Sequence, residues 1–200
     1  MKYRSLTRET SPALEPVTLA EAKAHLRVDI SDDDDLITAI IKAAREYCEE
    51  YLDRTLVHTQ WTMRMDAFPR EFKLPRPPMA QAGTTTVTSV TYTLETQATA
   101  TLNTSEYRVD RISTPGAIRT VYASTWPGHL ADANAVSVTW WGGYGADGTS
   151  VPEAIRSAML MLISHLYENR QAAVATGAVP QDVPFGVKAL LDTHRWGSYR

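Results

Sequence analysis

Apolar positions along this 200-residue chain follow two different periods, and the period changes twice. Leu36, Ile37, Ile40, Ile41, Ala44, Tyr47, Cys48 and Tyr51 recur every three to four residues. That spacing predicts an amphipathic helix over about 33–53, with Thr38, Lys42, Arg45, Glu46 and Glu49 on the polar face. Upstream, Thr18-Leu19-Ala20-Glu21 reads as a capping box, in which Thr and Glu each satisfy a backbone N–H of the first turn. Leu19, Ala22 and Leu26 then give a short helix over about 19–27. From Leu56 the period becomes two. Val57, Thr59, Trp61, Met63 and Met65 alternate with His58, Gln60, Thr62, Arg64 and Asp66, as in a half-buried strand. Further strands are predicted at Phe72–Leu74, within 84–94, and at Tyr107–Arg111, Ile118–Tyr122 and Ala135–Trp141. Turn residues such as Asn103, Pro115-Gly116, Pro127-Gly128 and Asp132 separate them. At Ser150 the helical period returns. Ser150 as cap, Pro152 and Glu153 open a helix over 152–169, whose apolar face runs from Ala154 and Ile155 to Leu166 and Tyr167.

Helices, then closely spaced strands, then helices define an α+β fold. The expected organisation is an α-helical core made from both ends of the chain, 17–55 and 150–195. An antiparallel β module, a small sandwich or barrel, is inserted at 56–149. The helices at 33–53 and 152–169 bury each other's apolar faces. Residues 1–16 are polar and carry Pro12 and Pro16, so they read as an extended N-terminal arm, either disordered or ordered by a neighbouring subunit. After a polar loop at 170–182, the segment 183–200 concentrates Phe185, Leu190, Leu191, Trp196 and Tyr199, too apolar for an idle tail. It packs on its own domain or docks on another subunit.

Composition narrows the chemistry. An apolar fraction of 44% suffices for a core, and a formal charge of −3 gives no basic field of the kind that gathers nucleic acid. The lone Cys48 excludes an intramolecular disulfide, and on the apolar helix face it reads as a small buried hydrophobe. No secretory or membrane-spanning segment is recognised, and a soluble, unexported protein is expected. Asp32–Asp35 fails as a calcium loop, since positions six and twelve from Asp32 are Ile37 and Ala43. Instead these acids are expected to cap the following helix. His25, His58, His129, His165 and His194 are scattered, and the His165/Glu168 pair lacks partner ligands, so no metal is expected.

Gly143-Tyr144-Gly145-Ala146-Asp147-Gly148 matches GxGxxG after a strand. A dinucleotide site, however, begins its helix at the glycines, and here Pro152 comes four residues later. A nucleotide-binding enzyme built on 143–148 is therefore the lesser reading, and a flexible strand-to-helix connection the better one. A third reading is a β module that binds glycans or other ligands through Trp140 or Trp141, which alternation places on opposite faces. Arg64, Arg70, Lys73 and Arg76 form a modest basic run best read as a solvated sheet edge. No catalytic constellation emerges and no cofactor is implied. A non-enzymatic binding or structural protein remains.

Several stretches, in order, match a known pattern. They are Val17–Val28; the acidic Asp32–Asp35 before an Ala/Ile-rich helix that ends in Tyr51-Leu52-Asp53-Arg54-Thr55; Leu74–Pro78 followed by Val87–Tyr92; Tyr107–Asp110; Trp140–Gly145; Val151–Arg156; His165–Arg170; and Val183–Gly186. Over about 16–195 the chain resembles the head–tail connector (adaptor, head-completion) proteins of tailed phages, a family that includes the adaptors of gene-transfer agents. The resemblance implies a virion or phage-like-particle protein, synthesised in the host cytoplasm. It implies a homo-oligomeric ring, usually a dodecamer, that sits under the portal protein and extends the DNA channel toward a stopper (head-closure) protein. DNA would pass through without being read. Carried onto this chain, the resemblance makes Phe185, Leu190, Leu191, Trp196 and Tyr199 portal contacts. The β block varies within the family, so the resemblance assigns 56–149 no role; an outward position is expected for it.

Overall fold

The computed structural model describes residues 3–80, 86–130, 132–169 and 185–195. The chain forms two compact units, Met1–Ala13 with His58–Tyr144 and Leu14–Val57 with Gly145–Arg200. One unit holds the strands and the other the helices.

In the β unit the described residues form strands β1 (Ser5–Arg8), β2 (Thr59–Met65), β3 (Phe72–Lys73), β4 (Val87–Thr93), β5 (Thr99–Thr101), β6 (Tyr107–Asp110), β7 (Ala117–Thr120) and β8 (Val136–Gly142). A five-stranded sheet runs β1-β2-β8-β4-β5 and a three-stranded sheet runs β3-β7-β6. Every pairing within them is antiparallel. Alternation sets the inner faces: Trp61, Met63 and Met65 of β2 and Val136, Val138 and Trp140 of β8 point one way. They share one apolar cluster with Phe72, Tyr107 and Ile118 of the smaller sheet. The unit is therefore a small sandwich. Register places Trp61 opposite Trp140 and Met63 opposite Val138. A side chain buried to this degree contributes about 1.5–3 kcal/mol.

The expected N-terminal arm includes the edge strand β1, paired with β2 from Ser5↔Arg64 to Arg8↔Trp61. The partner that orders it is the chain's own sheet, because Leu6 joins the edge of the core and Arg8 lies over the Trp61 ring, 5.2 Å from its centroid.

The helical unit holds α1 (Leu19–Leu26), α2 (Asp34–Leu52), α3 (Glu153–Glu168) and α4 (Phe185–Asp192). The capping box forms as its residues require. The Glu21 N–H donates to Thr18 Oγ1 at 3.2 Å and the Thr18 N–H to Glu21 Oε2 at 2.8 Å. Ile37, Ile40, Ile41, Ala44, Cys48 and Leu52 of α2 are buried, as are Ile155, Ala158, Met159, Leu162 and Ile163 of α3. Burial pushes the Cys48 thiol up to about 12.

Three local expectations are corrected. Asp33 occupies the N-cap of α2 but its side chain makes no capping bond; it accepts from the Tyr167 hydroxyl instead, while Asp34 pairs with Lys23 at 2.6 Å. Ser150 lies in a 3₁₀ turn, Gly148–Ser150, and Pro152 occupies the N-cap of α3. On α2, Arg45 and Glu49 are buried although helical spacing puts them on the polar face. Glu15 and the Leu56 N–H come across that face and supply the polar partners a buried pair requires.

Candidate functional site

The C-terminal helix α4 is held on its own unit. Val187 and Leu191, one helical turn apart, are completely buried. A side chain at Gly186 would meet the Met161 methyl of α3 at 2.9 Å, so glycine lets the two helices approach closely there. Polar contacts secure the far end. The Tyr51 hydroxyl donates to Asp192 Oδ1 at 2.7 Å and Arg54 Nε to the His194 carbonyl at 2.6 Å. The Arg195 guanidinium lies 5.0 Å from the Tyr51 ring centroid. Tyr51 stacks in turn on Tyr47, at 6.1 Å between centroids.

This geometry sorts the five residues singled out in the C-terminal segment. Leu191 is a core residue with no surface to offer a partner, because the α4 stripe that faces inward is the 187/191 stripe. Leu190, one position earlier, is half-buried, and Phe185 is 87% exposed at the start of the helix. Met161 of α3, beside Gly186, is also partly exposed, so an apolar surface continues from α3 onto α4. Trp196 and Tyr199 lie outside the described residues, as do residues 170–184, which include the expected polar loop and Val183-Pro184.

The glycine-rich stretch has steric causes. Gly143 adopts φ 121°, which L side chains rarely reach. A Cβ on Gly145 would stand 2.1 Å from Ser150 Oγ, and one on Gly148 would stand 2.1 Å from the Pro16 carbonyl oxygen. Asp147 accepts from the Thr149 N–H at 3.0 Å and from its hydroxyl at 2.6 Å. The turn is thus folded on itself, its amides meet an acid, and α3 begins beyond it with Glu153 in its first turn. That is the opposite of a phosphate cradle, in which free amides converge on the ligand.

The aromatic alternative fares similarly. Trp140 is buried in the sandwich core and its neighbour Trp141 is half-buried on the other face. A second aromatic group, which alternation did not reveal, gathers on the β unit. Phe68 stacks on Trp126 at 5.0 Å and meets His129 edge-on at 4.9 Å, while Trp126 Nε1 donates to the Pro69 carbonyl at 2.7 Å. It fastens the 126–129 stretch to the 68–72 stretch. The basic run is not gathered: Arg64 lies opposite Ser137 in the large sheet, Lys73 is in the small sheet, and Arg76 stands over Trp61. Among the described residues no three His, Cys, Asp or Glu side chains gather as a metal site, and no helix is long and apolar enough to cross a membrane.

Comparison with known proteins agrees with this architecture of helices and sandwich. Residues 16–108 match the family described as phage gp6-like head-tail connector protein. No curated protein matches the chain. A chain from the neck of an empty gene-transfer-agent particle, computed with C6 symmetry, superposes with a TM-score of 0.76 at 22% identity. The match covers 96% of this chain and 95% of that one. A chain from the virion of a native gene transfer agent gives 0.75 at 20% identity over 95% and 94%. A chain from a native neck computed with C12 symmetry gives 0.71 at 19% over 96% and 94%. Over 16–108 the chain is therefore similar to head–tail connector proteins. That match falls within the stretch, about 16–195, over which the sequence resembles connector proteins, and the whole chain has the fold of the gene-transfer-agent neck chains.

Proposed function

We propose that the chain is a structural head–tail connector (adaptor) of a tailed phage or phage-like particle, and not an enzyme. Copies form a closed ring, twelve in the simplest case, beneath the portal protein, and join it to a stopper protein on the tail side. DNA passes through the ring without base-specific contact, and a net negative chain suits passage better than an adhesive basic one. The observation that carries this reading is the connector match over 16–108. The particle neck structures with cyclic symmetry support the ring.

The C-terminal segment is the proposed portal contact, with its reach redefined. Leu191 anchors α4 at home, Phe185 and the half-buried Leu190 face outward, and Trp196 and Tyr199 follow the anchored helix. Electron microscopy of the full chain with rings of its portal tests this: the expected result is a second ring stacked on the portal. Phe185→Asp combined with removal of 196–200 should abolish stacking while leaving the fold intact. Stacking that survives both changes would remove the C-terminal assignment. If the unaltered chain does not bind the portal, the connector reading itself fails.

A further inference from the structure

The β6–β7 hairpin breaks a local rule. Arg108 and Arg119 are directly opposite each other in register, and both are exposed. Like charges at such a position disfavour the hairpin. Arg119 has Glu71 beside it at 3.2 Å, whereas Arg108 makes no ion pair among the described residues. The adjoining turn is rigidly built. Asp110 accepts from the N–H groups of Ile112 and Ser113, each at 3.0 Å, and from the Ser113 hydroxyl at 2.6 Å. A Cβ on Gly116 would stand 1.9 Å from Met79 Sδ, so the returning strand is pressed onto the core. This turn holds Ile112 96% exposed. A surface fixed in this way loses little freedom on docking.

The complementary surface is on the same chain, in the turn between α1 and α2. Asp33 and Asp34 are engaged by Tyr167 and Lys23, but Asp32 and Asp35 are exposed, and Ile30 and Leu36 are exposed beside them. One surface is basic with an apolar tip; the other is acidic with apolar neighbours.

We infer that the β6–β7 hairpin of one copy docks on the α1–α2 turn of a second copy, with Arg108 and Arg119 meeting Asp32 and Asp35 and Ile112 meeting Ile30 and Leu36. The inference rests on the ring reading above. A ring that closes by rotation joins two different patches of each subunit, and these two differ in the required, complementary way. A nucleic-acid partner fits less well. It would call for more phosphate-binding side chains and would leave Ile112 without a role.

The test uses full chains and two exposed cysteine sites. Arg111→Cys protein and Ser31→Cys protein are mixed with a short bis-maleimide; Cys48, buried and with its thiol pushed up to about 12, stays silent. Covalent dimers should form in the mixture and scarcely in either protein alone. Adding Arg108→Glu to the hairpin partner should lower the yield roughly tenfold or more, and Asp32→Lys on the other partner, with Asp35 left to meet Arg119, should restore it. Arg108→Glu puts a carboxylate opposite Arg119, so the hairpin itself should be no less stable, which separates lost docking from lost folding. Equal dimer yields with either protein alone, or a yield indifferent to Arg108→Glu, overturns the inference. Duplex DNA binding lost in Arg108→Glu with cross-linking unchanged overturns it in favour of a nucleic-acid surface. Portal binding without this cross-link overturns the inference and leaves the connector reading standing, whereas absence of both removes the two together.

Discussion

Arg45 and Glu49, one turn apart on α2, form an ion pair at 2.8 Å in which both side chains are buried. The pair is a junction. Arg45 Nε also donates to Glu15 at 2.7 Å, before α1, and Glu49 Oε1 accepts the Leu56 N–H at 3.0 Å, after α2. Both ends of the N-terminal helical segment are thus tied to the middle of its long helix. Arg45→Met strands a buried carboxylate and should cost about 3–5 kcal/mol, read as a lower urea midpoint. Adding Glu49→Leu should recover part of that loss, since the stranded charge is gone although the Leu56 N–H loses its acceptor. Additive losses would mean that the two side chains do not act as a pair.

Leu191 and Phe185 belong to the same short helix and should separate stability from assembly. Leu191→Ala removes a fully buried side chain and should cost about 2–5 kcal/mol in chemical denaturation. Phe185→Ser, at an exposed position, should stay within about 0.5 kcal/mol of the parent.

Gly148→Ala should destabilise by about 1–3 kcal/mol, because the new methyl meets the Pro16 backbone and not a yielding side chain. Gly128→Ala, with open space around it, is the control and should change stability little. Thermal melts of the two variants decide the matter. If Gly148→Ala melted like Gly128→Ala, the packing account of the glycine stretch would be wrong.

Acid should loosen the α1–α3 junction. The Thr18 N–H, opposed by partial burial and helped by the Thr18 hydroxyl and Arg156, holds the Glu21 carboxyl below its ordinary range. A carboxyl depressed in the folded state binds fewer protons there than when unfolded. Its contribution is therefore complete near neutral pH and disappears as pH falls through the acid range toward the folded value. Glu21→Gln should flatten that part of the stability–pH curve and leave the protein less stable at neutral pH. Urea titrations at a series of acid pH values would show it.

His58 titrates in a different window with the same sign. Burial lowers its pKa, so it favours the neutral ring in the fold. Stability should fall as pH drops from the ordinary histidine range toward the lower folded value, and His58→Gln should remove that slope.

Much of this architecture was legible along the chain because its cause is local. The long stripes of α2 and α3, the Thr18–Glu21 box and the alternation of β2 and β8 each follow from backbone period and neighbouring side chains, and they fall within a residue or two of expectation. The ordered stretches that resemble connector proteins were equally readable, since a family signature needs no geometry. Short edge elements were not. Thr99–Thr101 has only three residues of alternation, and Ser5–Arg8 becomes a strand only because β2, more than fifty positions away, offers it an edge. Spacing could not say that Arg45 and Glu49 would be covered, for a polar face stays polar until another segment crosses it. Nor could it separate Leu190 from Leu191, adjacent and chemically alike, until α4 had a helix to lie against. Those choices belong to contacts between residues far apart in sequence, and they decide that Val187 and Leu191 are buried while Phe185 is left exposed.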